Sequence, residues 1–310
     1  MFGSRLHTLD VDHLAGIHGV RVICVDRPGM GGSTPVALNL RVQVWLETVP
    51  ALLRKLNVEH VSLMSHSAGT IYCLNTLYHL RDILDPKKPY VAIIGPWVHY
   101  EHSNATLMNL ASKVPNGMLD SWNGLNKVIN ERIVPSVLWS GGMFSAVAGL
   151  FQSSEDGDRA PPGEKYGTSD ETAKAVEALM SKYFFAEGTT AGNEDAKLCL
   201  KKDPSASWGV CEDYEEYVRN LAEQEKARAQ GGQANKLNVH VFFAESDMMI
   251  GEGGERYFEK CWRQTGVSDH IEYGSTKLPG TDHDSALIDH RKGALKSIIE
   301  AVETRSQQAD

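Results

Sequence analysis

The chain has 310 residues, enough for one large domain or a core with an insertion, and its 42% hydrophobic and 23% charged content suits a globular protein with a sizeable core. A net charge of -9 argues against nucleic acid as a partner, because phosphate binding needs clustered lysine and arginine. No apolar run approaches the roughly 20 residues of a membrane span, and the N-terminal MFGSRLHTLD has no apolar signal-peptide region.

Along the chain, the run VRVICVD over 20–26 is rich in β-branched residues and ends in RPGMGGS, so it is expected to be a buried strand closed by a turn. Helical spacing of Leu40, Val44, Leu52, Leu53 and Leu56 predicts a helix over 39–56, with Pro50 as a kink. A strand over 60–65, a helix over 68–83 and a strand over 90–94 follow, the last ended by Gly95-Pro96. From 97 to 236 the patterns are mostly helical. They are interrupted by the polar stretch SSEDGDRAPPGEKYGTSD, residues 153–170, which reads as a mobile loop. A charged helix over 212–229 stops at Gly231-Gly232. Alternation then resumes, with a strand over 239–244, a helix over 252–264, a strand over 270–273 and a closing helix over 286–302.

Strands alternating with helices imply an α/β fold, a mostly parallel sheet covered by helices. The expected division is a core built from 1–96 and 237–310, with a helical insertion, a cap or lid, over 97–236 after the strand at 90–94. The five cysteines at 24, 73, 199, 211 and 261 form no CxxC and no framework. Free thiols in a reducing, cytoplasmic setting are therefore expected, with a Cys199–Cys211 pair as the alternative.

The stretch VSLMSHSAGT, residues 61–70, runs an apolar strand into small polar residues and then into a helix. A serine on such a junction can be an ordinary helix cap. The pattern Ser65-His-Ser-Ala-Gly69 also fits a sharp strand-to-helix turn that lifts the Ser67 hydroxyl clear of the backbone, with small residues on either side to avoid a clash. A nucleophilic serine needs a base and an orienting acid. Asp247 follows the strand 239–244, and His283 lies on the loop Gly280-Thr-Asp-His283 before the last helix. All three are expected on the carboxyl edge of the sheet, in the order serine, acid, histidine. Glu245 is the alternative acid. His66 adjoins the serine and is assigned to packing or to the wall of a pocket.

These residues, together with Asp26-Arg-Pro-Gly-Met-Gly-Gly-Ser33 and Ala244-Glu-Ser-Asp247, resemble the α/β-hydrolase superfamily, specifically its capped members. The resemblance implies Ser67 as nucleophile, His283 as base, Asp247 as acid, and the Ala68 N–H as one oxyanion donor. It implies no cofactor and no metal, and a small acyl substrate held in an apolar pocket. Trp97, Trp139, Phe144 and Trp208 are candidate pocket residues beside His66, although aromatic residues at helical spacing are more often core. A serine rather than an aspartate at 67 argues against epoxide hydrolase or dehalogenase chemistry. Family members usually carry two or three strands before the first helix, the third leading into a loop that supplies the second oxyanion donor. Here that donor would fall near Phe2 or Met1, and the first strands of the fold are expected to be missing. The segments 20–26 and 60–65 are then expected not to pair with each other. A non-catalytic hydrolase-fold binding protein is the alternative to an enzyme.

Overall fold

The computed structural model describes residues 4–105, 161–187, 190–232 and 235–307. In chain order the elements are α1 (Leu9–Ile17), α2 (Arg41–Leu56), β1 (Leu63–Ser67), α3 (Gly69–His79), β2 (Tyr90–Pro96), α4 (Tyr100–Ser103), α5 (Pro162–Tyr166), α6 (Asp170–Ala186), α7 (Thr190–Cys199), α8 (Tyr214–Gln230), β3 (Leu237–Ser246), α9 (Gly251–Trp262), β4 (Ile271–Asp282), α10 (Ser285–Ile288) and α11 (Leu295–Gln307). The strands form one parallel sheet in the order β1-β2-β3-β4.

Every residue of β2 is buried, as a strand covered on both faces requires. Its side chains alternate. Val91 and Ile93 join Val239, Val241 and Ile271 under α3, α8 and α9, where Leu74, Leu221 and Phe258 are fully buried. Tyr90, Ala92 and Ile94 join Phe242, Ala244 and Leu278 on the other face, against Ala286 of α10 and Ile298 of α11. The period of two in β2 and β3 thus sorts side chains between two helical layers. Helix α8 shares the first cluster with the strands, so it packs into the core of the sheet. Its start is capped by Asp213, whose Oδ1 accepts the Glu216 N–H at 3.0 Å.

Several expectations are corrected. The run 20–26 forms no strand: no ladder reaches it, and Val20 and Val22 pack beside α1 and α11. A β-branched run needs a paired neighbour as well as propensity to become a strand. The expected lack of pairing between 20–26 and 60–65 holds, and β1 pairs with β2 alone among the described residues. The stretch 153–170 is not all loop. Its described part contains α5, which ends at Gly167 in the left-handed region at φ 62°; residues 153–160 lie outside the described residues. The closing helix is two helices, α10 and α11. Asp289 Oδ1 accepts the N–H groups of Arg291 and Lys292, each at 2.8 Å, and this turn breaks the run. The strand expected over 270–273 continues to Asp282. Helix α1 was not expected, although Asp10 and Asp12 in its first turn and the buried Val11 and Ala15 carry a helical signal. All five cysteines are free thiols. No helix among the described residues is long and apolar enough to cross a membrane.

Candidate active site

Strand β1 ends at Ser67, whose backbone takes the left-handed conformation, φ 54°. That region costs a β-carbon-bearing residue about 1–2 kcal/mol. The register of β1 on β2 shifts between His66 and Ser67, so the chain leaves the ladder at that point. A Cβ added at Gly69 would lie 3.4 Å from the Cβ of Ser65, which is why the turn needs small residues on both flanks. Thr70 braces the turn: its hydroxyl donates to the Ser67 carbonyl at 2.8 Å and accepts the Trp97 N–H at 3.0 Å. Ala68 occupies the N-cap position of α3.

Asp247 begins the turn between β3 and α9. Its Oδ1 accepts the N–H groups of Met249 and Ile250 at 2.9 and 2.8 Å. Its Oδ2 lies 2.7 Å from His283 Nδ1. His283 follows the last residue of β4, and its Nε2 lies 2.8 Å from Ser67 Oγ. The structure thus brings together a hydroxyl, an imidazole and a carboxylate from the carboxyl ends of β1, β4 and β3. Ser67 has no exposed surface and His283 is 2% exposed. Burial opposes charge on the His283 ring, but the Asp247 carboxylate outweighs it and raises the pKa above the ordinary 6.5. Burial likewise works against Asp247 ionisation; His283 and the two backbone N–H groups prevail and lower its pKa below 3.8.

The space for this arrangement comes from β2, which lies between β1 and β3 in the sheet. Gly95, at φ 47°, sits beneath the pair. A Cβ there would stand 3.3 Å from two ring atoms of His283 and 3.5 Å from Asp247 Oδ2. Sequence reasoning placed Gly95 only as a strand end. Its conformation and its closeness to a histidine 188 positions away carry no local signal.

The chain matches the model of the alpha/beta hydrolase family over residues 2–293. The chain belongs to that family. Among solved structures this hydrolase-family chain is similar to an enol-lactonase from Burkholderia xenovorans LB400, at 13% identity and a TM-score of 0.53, covering 97% of this chain and 87% of that one. It is also similar to an esterase from Rhodococcus sp. ECU1013, at 14% identity and a TM-score of 0.53, covering 99% and 87%. No curated protein compared with it matches.

The other expected residues of this family member fall in different places. Glu245 points elsewhere and accepts the Gly280 N–H at 2.7 Å through Oε2. His66 Nε2 lies 2.8 Å from the main-chain oxygen of His283. Trp97 and Trp208 are buried members of the main core, and their indole N–H groups donate to the carbonyls of Cys199 and Leu198 at 3.2 and 2.8 Å. Phe2, Trp139 and Phe144 lie outside the described residues. A buried ionic cluster was not anticipated. Arg41 and Arg27 reach the two oxygens of Asp195 on α7 at 2.7 and 3.2 Å, and the Tyr72 hydroxyl donates to the same carboxylate at 2.9 Å. It links the 26–33 loop, α2, α3 and α7 through residues with no shared motif.

Proposed function

We propose that this protein is a serine hydrolase that cleaves an ester, thioester or amide of a small, largely apolar acyl substrate through an acyl-enzyme. The observation that carries the reading is the continuous hydrogen-bonded line Ser67 Oγ–His283 Nε2 and His283 Nδ1–Asp247 Oδ2. In this mechanism His283 takes the hydroxyl proton as Ser67 Oγ bonds to the acyl carbon. Asp247 holds the ring with Nδ1 protonated and stabilises the imidazolium that forms. The Ala68 N–H, at the start of α3, donates to the developing oxyanion, with Phe2 as the second donor. The imidazolium then gives its proton to the leaving group. Water, deprotonated by His283, attacks the acyl carbon, and Ser67 regains its proton as the acid departs. No metal or cofactor enters these steps.

Residues 97–236 are read as the cap and 1–96 with 237–310 as the core, with α8 packed down onto the sheet. The acyl group is assigned to an apolar pocket beside Ser67 for which Trp139 and Phe144 remain the candidate lining, Trp97 and Trp208 being part of the core. Likeness in fold to an enol-lactonase and an esterase supports acyl chemistry by analogy. A fluorophosphonate probe tests the reading. Covalent labelling is expected in the wild type and absent in Ser67→Ala, whose ester turnover falls by about 10⁶-fold. A folded wild-type protein that takes no label would instead be a binding protein on a hydrolase fold.

A further inference from the structure

We propose that His66 is a positioning residue for His283, tying the main chain that carries the base to the strand that carries the nucleophile. The inference rests on the serine hydrolase reading. Among the described residues β1 and β4 occupy opposite ends of the strand order, and no ladder bond between them sets the spacing between Ser67 and His283. The tether is the 2.8 Å contact from His66 Nε2 to the His283 carbonyl oxygen. A carbonyl only accepts, so Nε2 carries the hydrogen and Nδ1 is bare. That Nδ1 is buried and has no hydrogen-bond partner among the described residues, where the ring is held by a single bond directed at residue 283.

The chemistry of the tether suits its place. The two imidazole rings lie 4.8 Å apart at 41°. Burial, with His283 adding to it, keeps the His66 pKa well below 6.5, so the ring stays neutral where His283 must work. A lysine or arginine could also donate to this carbonyl, but its charge would oppose the imidazolium that forms on His283 in the reaction. A neutral donor holds the loop without that penalty. Thr70 treats the other reacting residue alike, donating to the Ser67 carbonyl. The carbonyls of nucleophile and base are thus each held by a side chain of the same turn, one residue before Ser67 and three after it.

Two substitutions separate the tether from mere packing. His66→Phe keeps the ring shape and removes the donor; His66→Gln restores a neutral N–H near the position of Nε2. With a p-nitrophenyl ester, His66→Phe is expected to lower kcat by about 10²-fold, the cost of misplacing a reacting group by about an ångström. KM changes little, because a misplaced base affects the chemical step rather than binding. His66→Gln is expected to recover most of kcat. Proton NMR of the His283 Nδ1–H provides a readout that needs no turnover: its downfield resonance is expected to broaden or move in His66→Phe and to return in His66→Gln. Equal kinetic losses in the two variants, or an unmoved resonance in folded His66→Phe, overturns the inference. Absent labelling of the wild type counts against the hydrolase reading, and the resonance then decides the role of His66 alone.

Discussion

In the proposed reaction His283 must be neutral to accept the Ser67 proton, and Asp247 raises its pKa above 6.5 despite burial. The acid limb of the kcat/KM profile is therefore expected to have its midpoint above pH 6.5, with activity lost as pH falls through it. A midpoint below that value in a pH–rate series would contradict the pairing. The stability linkage has the opposite sense. The raised histidine contributes fully below 6.5 and loses its contribution as pH rises through its folded value. The lowered Asp247 contributes above 3.8 and loses that contribution as pH falls through its own folded value. Gly95→Ala puts a methyl group 3.3 Å from the His283 ring in a left-handed conformation. We expect a stability loss of about 1–2 kcal/mol and, in the protein that remains folded, a kcat reduced by tenfold or more, to about 10²-fold. Unchanged kcat would show that the ring does not depend on the bare Cα. The meeting of residues 67, 247 and 283 was legible because each stands beside a local pattern, a strand end or a turn, on one edge of the sheet. Gly95 and the bond made by His66 were not, because each acts on a residue about two hundred positions away.

The strands β1, β2 and β3 and the helices α2, α3, α8 and α9 were legible as elements, since long periodic runs report which face is buried. Segment 20–26 misled because its composition records β propensity and says nothing of a partner. The stop at Asp289 misled for a different reason: one side chain capturing two N–H groups overrides the helical spacing on either side of it. Strand β1 carries Ser67, the proposed nucleophile, yet pairs with β2 alone among the described residues, and its Met64 is 41% exposed. Native-state hydrogen exchange measured by NMR is expected to show faster exchange for amides in β1 than in β2 and β3, which have a neighbour on each side. Equal protection across the three strands would mean that β1 has a partner on its outer side.

Across the whole molecule, buried charge joins segments that the sheet does not. Asp195 carries Arg27 and Arg41 with almost no exposure, and Glu225 of α8 holds Arg81 at 2.7 and 3.0 Å. Removing a carboxylate strands a buried guanidinium, so Asp195→Ala is expected to cost about 3–5 kcal/mol in urea unfolding, partly recovered by Arg41→Leu in the same chain. A loss below 1 kcal/mol would show the cluster to be hydrated. Composition and alternation made the layered α/β architecture legible. These pairings were not, because charged residues scattered along a chain do not announce their partners. Ser67 and His283 meet across 216 residues, and no short stretch of polypeptide contains both groups. During recovery from denaturant, far-ultraviolet dichroism should return first, driven by local coil-to-helix ordering. Labelling by the fluorophosphonate probe should lag behind it, appearing only as the C-terminal strand docks.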